Sequence, residues 1–586
     1  MKQLFFLTIM VIMTVSVKQS FSGDSDSELL SLFSDYDEFN KRTYPEGATY
    51  EGDHRYDDQL SDNSEEAVFA YYDTLSVFLN RLNKIEYTSL STENKLNFDL
   101  FKSSLEDNLA DEKFKGYFMP LGQQWGIHIN FPQLAFVQPT DTYEEYQKYF
   151  KRLRGFEENI DNTISNMKKG IASGIVPPVF IMEQTLTQME NVMNTETEKS
   201  EFYSPMYNDN KLSAEEKIQV SDELKNIIED NIIPGYRKLY DFVKNEYIPE
   251  CRKDAGIWAL PDGKERYEKD IKDYTTLDYT ADEIHELGLS EVNRIVVLME
   301  SVKDSIGFDG TLEEFNVYIK ADPQFYYTDK EDLLNGFREI LSKVDTTLPG
   351  LFGRLPKAKY DLKEMEEFRA ASAPAAYYYS APEDGSRPGY FYVNTYNLSA
   401  RPKYTMTSLA MHEAVPGHHL QISLAQEQTD LPKFRRDLGV TAFVEGWGLY
   451  SESLGYETGM YEDLYQLYGA LTFEIWRACR LVVDTGIHDK KWSREQAYDF
   501  MRKYTPNSDQ DIQSEIDRYI SWPGQALAYK IGELKIKELR KKAEVSLGDK
   551  FEIKDFHDVI LMNGALPLPI LEDIVNQWIA EKMSAG

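Results

Sequence analysis

Residues 412–421 read His-Glu-Ala-Val-Pro-Gly-His-His-Leu-Gln, placing three of the chain's eight histidines beside a glutamate. Imidazole nitrogens hold a borderline-soft divalent cation, and an adjacent carboxylate can take the proton of a water on that cation. The chemistry this suits is hydrolysis at zinc. In the familiar spacing, His-Glu-x-x-His, both histidines share one helix face. Here the second histidine follows after six residues (His418) or seven (His419). On an unbroken helix six residues turn by about 240°, which sends His412 and His418 apart. Seven residues restore the face but carry His419 about 10 Å along the axis, too far to share one ion. Pro416 and Gly417 offer a way out. Proline removes an amide and clashes with the preceding turn, while glycine tolerates the distorted backbone that follows. A bulge there returns His418 to His412, so His418 is the expected second ligand and His419 the alternative.

A third ligand is expected from residues 441–452, Thr-Ala-Phe-Val-Glu-Gly-Trp-Gly-Leu-Tyr-Ser-Glu. The run reads as an apolar helix with Glu445 and Glu452 on one face. A carboxylate bounded by Phe443, Val444 and Trp447 is expected to be buried, and a buried carboxylate wants a cation. Two histidines and Glu445 leave a fourth zinc position open for water, as in a catalytic rather than a structural site.

These segments are similar to a bacterial family of zinc-peptidase-like proteins, long described only as a domain of unknown function. The resemblance runs from about residue 255 to the C-terminus and, more weakly, over most of the rest. It is carried by the His-Glu-x-x-Pro-Gly-His-His-x-Gln motif and four further segments. They are Asp-Gly-Ser-Arg-Pro-Gly at 384–389, Glu-Gly-Trp at 445–447, Arg-Leu-Val-Val-Asp-Thr-Gly-Ile-His at 480–488 and Pro-Gly-Gln-Ala at 523–526. More distantly the chain resembles the helical gluzincin peptidases such as thimet oligopeptidase, angiotensin-converting enzyme and carboxypeptidase Taq. That resemblance implies His412, His418 and Glu445 as zinc ligands and Glu413 as the base. Two departures stand out: the six-residue histidine spacing, and Leu449 where several gluzincins carry an acid that orients a ligand. Glu452 and Asp484 are the candidates for that orienting role.

Peptide hydrolysis also needs a donor for the charge that builds on the carbonyl oxygen. Tyr529-Lys-Ile-Gly resembles the Tyr-x-Leu-Gly region of the carboxypeptidase Taq group and makes Tyr529 one candidate. His488 is the other. Arg480, Asp484 and His488 are spaced by four and share a helix face, either as a salt-bridge ladder or as a support that aims His488 at the oxyanion. The runs Ala375–Ser380 and Gly389–Asn394 alternate as strands and predict a hairpin. Its edge can pair with an extended peptide, and Arg387, Tyr390 and Tyr392 are candidate substrate contacts.

The elements that must position these groups are mostly helical. Thr142/Glu145, Ser213/Glu216, Thr280/Glu283, Thr311/Glu314 and Ser493/Gln496 all fit capping boxes ahead of amphipathic runs. They predict one large mostly α-helical domain, in two halves around a deep cleft, with a small β-hairpin or sheet beside the zinc helix. The expected boundaries are a signal peptide over 1–22, a loosely ordered acidic lead-in over 23–65, an N-terminal helical half over 66–260 and a catalytic half over 261–586.

Lys2, the apolar run Leu4–Val17 and the small residues near Ser22 read as a secretory signal, which places the protein in the periplasm or outside the cell. No other stretch is long and apolar enough for a membrane span. Two cysteines, Cys251 and Cys479, make no disulfide framework. The net charge of −35 argues against nucleic acid and anionic membrane as partners. The expectation is therefore an extracytoplasmic zinc metallopeptidase acting on short peptides. The alternatives are a catalytically silent metal-containing peptide-binding protein and a zinc hydrolase of other amides or esters.

Overall fold

The computed structural model describes residues 24–365, 370, 374–382, 385 and 387–584. The signal-like segment, and Asp384 and Ser386 of the hairpin loop, lie outside them. The fold is mostly α, as the sequence pattern implies, with one small sheet. All five capping boxes form: each Ser or Thr accepts from the backbone of the third helical residue, whose own side chain returns the bond. Each such cap is worth about 0.5–2 kcal/mol, enough to set where a helix begins.

The acidic N-terminal segment is not the loosely ordered lead-in expected. It forms helix α1, Asp24–Thr43. Leu29, Leu32 and Phe33 fall at helical spacing and are buried against Leu75, Phe78 and Phe101, a shared core that outweighs the local charge. Residues 121–251 gather a second core around Tyr146, Tyr149, Phe156 and Tyr236. Cys251 and Cys479 are both free and buried.

The rest of the chain is organised by α2, Ala281–Ile306, packed on the central helix α4, Leu464–His488. Almost every side chain of α4 from Tyr468 onward is buried, including Arg477, Arg480, Asp484 and His488. A helix enclosed on all sides must find partners for each polar group it carries. Helix α3, Thr441–Ser453, crosses α5, Ala528–Leu547, beside it.

The hairpin forms as β2, Ala376–Tyr379, antiparallel to β3, Gly389–Val393. A strand the sequence did not announce, β1, Tyr360–Glu364, pairs parallel to β3 on its other side. The order β1-β3-β2 leaves β2 on an edge. Phe391 and Val393 on one face of β3 pack against Leu409, Ala410 and Ala414, which ties the sheet to the histidine motif. Among the described residues no helix is long and apolar enough to cross a membrane.

Candidate functional site

The histidine motif is two helices rather than one bulged helix. Met406–Glu413 ends at Ala414, and His418–Gln426 begins after Gly417. At Gly417 an added Cβ would lie 1.9 Å from the His412 carbonyl oxygen, so only glycine lets the second helix start this close to the first. The turn is tied down from outside. Trp447 Nε1–H donates to the Pro416 carbonyl at 2.8 Å, and the Ser451 hydroxyl donates to the Met411 carbonyl at 3.0 Å. Gly448, on the same side of α3, faces the His412 ring so closely that a Cβ there would come within 2.7 Å of it.

This break brings His412, His418 and Glu445 together, one ligand atom from each lying within 4.8 Å of the others. Glu445 Oε2 is 3.5 Å from His412 Nε2 and 3.6 Å from His418 Nε2. Ligands about 2.0–2.1 Å from a tetrahedral zinc sit about 3.4 Å apart, and both histidine–Glu445 separations are close to that value. No described group bonds Glu445 Oε2 or His418 Nδ1, although both atoms are buried. The donor set, two imidazoles and a carboxylate, suits zinc.

His412 Nδ1–H donates to Glu452 Oε1 at 2.8 Å, which leaves Nε2 bare toward Glu445. Glu452, two turns after Glu445, thus takes the orienting role that Leu449 cannot. Arg477 Nη2 lies 3.5 Å from the same Glu452 oxygen. Burial disfavours a charge on His412, yet the neighbouring carboxylates of Glu445 and Glu452 hold it up at about 9. Burial would raise Glu445 too, but His412 and His418 hold it at about 2. The pocket therefore favours positive charge at this spot. Burial keeps His418 neutral, down at about 4, with its lone pair free.

Glu413 ends the first helix beside the ligands. Burial pushes its carboxyl up to about 7, while its contact with the backbone N–H of Tyr378, on edge strand β2, works the other way. Tyr529 lies nearly parallel to the His412 ring, with centroids 6.5 Å apart at 20°. Its phenol is raised by burial and by Glu445. Arg480 stacks over the other aromatic surface of this corner, 4.4 Å from the Tyr529 ring centre.

Other expected groups lie elsewhere. His419 is buried under the sheet, its Nδ1 2.8 Å from the Tyr378 hydroxyl and its ring 4.8 Å from that of Tyr360. It anchors the second helix to the sheet and is not among the converging ligands. His488 is corrected from oxyanion donor to structural group. Ile257 N–H donates to its Nδ1 and its Nε2–H donates to the Tyr519 carbonyl, both at 3.0 Å. With both nitrogens spent on backbone, and burial driving its pKa down to about 3, it has no proton to aim at substrate. Nor does Asp484 hold its tautomer or orient a metal ligand. Its carboxylate accepts from the Tyr267 hydroxyl at 2.6 Å and from Gly524 N–H at 3.2 Å.

Tyr390 and Tyr392 alternate with Phe391 and Val393, so they face away from the histidine helices. Tyr392 stacks on Tyr377 at 4.9 Å, and Arg387 lies 4.5 Å over Tyr379. The structure does not bring these three expected substrate contacts to the ligands. Arg477 is the residue sequence reading missed. Its position one turn before Arg480 was visible, but its tie to Glu452 joins residues far apart in the chain.

Residues 45–575 match the family described as bacterial protein of unknown function (DUF885), and the chain belongs to it. No curated protein matches the chain. A candidate lipoprotein from Colwellia psychrerythraea, known as a crystal structure, is similar over 95% of this chain and all of its own, with 30% identity and a TM-score of 0.91. A candidate lipoprotein of unknown function from Shewanella oneidensis shares the fold, with a TM-score of 0.74 and 17% identity over 94% of this chain and 99% of its own.

Proposed function

We propose that this DUF885 protein is a zinc-dependent peptide hydrolase. The observation that carries the reading is the convergence of His412 Nε2, His418 Nε2 and Glu445 Oε2 beside the half-buried Glu413. A purely structural zinc site is closed by four protein ligands, whereas three leave a position for reactants. Zinc held there would supply Lewis acidity, lowering the pKa of a water and drawing charge from a carbonyl.

The chain's own residues divide the remaining work. Glu413 accepts the proton of the attacking water and passes it to the leaving amine. A carboxyl balanced near neutrality suits both steps. Glu452 fixes the His412 tautomer, with Arg477 holding Glu452. Tyr529 is the donor toward the carbonyl oxygen, since His488 has no free nitrogen. Strand β2 exposes an edge next to Glu413, where an extended peptide can add as a further strand and lay its scissile bond across the site. The signal-like N-terminal segment and the lipoprotein description of the Colwellia relative favour a place outside the cytoplasm.

The test is hydrolysis of a quenched peptide library by the metal-loaded protein, repeated after chelation and again after zinc is restored. Cleavage that chelation abolishes and zinc restores is expected. A loaded protein that leaves every peptide intact would refute the reading.

A further inference from the structure

A histidine that holds a metal through one ring nitrogen needs an acceptor for the proton on the other, which fixes the tautomer and the plane of the ring. His412 has that acceptor in Glu452 Oε1, at 2.8 Å. His418 has none. Its Nδ1 is buried without a hydrogen-bond partner among the described residues, on a side chain only 12% exposed. The nearby groups that could serve are spent elsewhere. The Tyr378 hydroxyl and Ser423 Oγ lie on His419 Nδ1, at 2.8 and 3.3 Å. A buried N–H left in this state costs about 1–3 kcal/mol.

A matching acceptor stands one turn along the same helix. Gln421 closes the histidine motif, and the hydrolytic chemistry has not used it. Its side chain is buried, and its Oε1 likewise has no partner among the described residues. The Gln421 N–H donates to the Gly417 carbonyl at 3.1 Å, so the helix His418–Gln426 is regular from its first turn. Residues three apart on such a helix carry their side chains about 5–6 Å from one another at Cβ. Helical side chains also lean toward the N-terminus, so Gln421 lies over the turn that bears His418. Ile422, the neighbour four residues on, is apolar. One buried donor without an acceptor and one buried acceptor without a donor thus share a single turn. Each is costly alone, and a bond between them removes both costs.

We propose that Gln421 is the positioning residue of His418. Its carboxamide oxygen takes the Nδ1–H of that ring, as Glu452 takes the Nδ1–H of His412, and so turns Nε2 toward the metal. The assignment rests on the zinc reading of the site. The terminal torsion of a glutamine is broad, which lets the amide meet the ring while the helix stays as it is. A neutral acceptor also adds no further negative charge to a pocket that already holds Glu413, Glu445 and Glu452.

The experiment is proton NMR of the cobalt(II)-loaded protein in H2O and in D2O, with zinc affinity read by competition against a chromogenic chelator. The unpaired electrons of cobalt shift the ring N–H protons of its ligands away from all others, and a hydrogen-bonded N–H exchanges slowly enough to be seen. The intact protein should show two such exchangeable resonances, one for each ligating histidine. Gln421→Met keeps the volume and removes the acceptor. It should lose one resonance and bind zinc about 10–100-fold more weakly. Gln421→Glu keeps an acceptor oxygen at the same reach and should recover both resonances. In Glu452→Ala the other resonance should vanish. A single exchangeable resonance in the intact protein overturns the proposal without relying on any variant. So does a Gln421→Met protein that keeps both, because weaker zinc binding alone then marks a packing role. An intact protein that takes up no cobalt at these ligands ends the zinc reading and this proposal with it. Cobalt bound without the expected resonances ends the proposal and leaves the zinc reading standing.

Discussion

The two nitrogens of His412 are addressed by two carboxylates of one helix. Glu452 Oε1 accepts from Nδ1 at 2.8 Å, and Glu445 Oε2 stands 3.5 Å from Nε2. Seven residues separate the two glutamates, so they rise from the same face of α3 two turns apart. With the His412 ring lying against Gly448 between them, the helix holds the imidazole in one tautomer and one orientation. Glu452→Gln should therefore weaken zinc binding by about 10–100-fold, the usual cost of losing such a support. Competition with a chromogenic chelator measures it. Asp484→Asn, whose contacts are with Tyr267 and Gly524, should leave zinc affinity unchanged, and a matching loss there would contradict the assignment.

The purified protein should carry about one zinc, the stoichiometry of a single three-ligand site. His418→Ala should lose the metal and His419→Ala keep it, as read by elemental analysis. The opposite pattern would move the ligand to His419.

Glu413→Gln keeps all three ligands and removes the proton acceptor. Metal content should persist while turnover falls by about 10²–10⁴-fold. A variant that keeps near-normal turnover would mean another group activates the water.

Tyr529→Phe removes a hydroxyl and keeps the ring between His412 and Arg480. If that hydroxyl meets charge only as it develops, kcat should fall by about 10²–10³-fold with KM nearly unchanged. His488→Ala should act differently. It strands the Ile257 N–H and the Tyr519 carbonyl, costing about 1–3 kcal/mol of stability for each group left unpaired. Denaturant unfolding separates the two cases: only the His488 variant should lose stability.

Next to Tyr529, Lys530 is fully buried among Glu291, Glu474 and Glu533, at 3.1, 2.9 and 2.7 Å. Lys530→Met leaves carboxylates without their cation and should cost about 3–5 kcal/mol. Burial would raise the Glu474 carboxyl, but Lys530, Lys537 and Arg294 hold it well below the usual range. A carboxyl depressed in the folded state stabilises fully above its unfolded pKa of about 4.3 and loses that stability as pH falls toward its folded value. Melting temperature should drop as pH is taken from 5 to 3. A flat profile across that window would count against the network.

What the sequence by itself determined were the local decisions. Ser, Thr, Glu and Gln at fixed offsets began five helices because capping is settled within four residues. The Pro416-Gly417 break was legible for the same reason, as was the failure of a straight helix to join His412 to His418. The aromatic alternation of Ala376–Tyr379 and Gly389–Val393 marked a hairpin, whereas the short mixed stretch Tyr360–Glu364 became a strand only because β3 offered it an edge. Tertiary structure decided everything that depends on which distant groups share a buried space. His488 and Tyr529 looked equal as donors until Ile257 and Tyr519 were seen to occupy both nitrogens of the first. Glu452 and Asp484 looked equal as supports until α3 set one against His412 and α4 turned the other toward Tyr267. The acidic segment after residue 23 read as loose because its charge is local, while the apolar core that folds it is supplied by residues forty and more positions away.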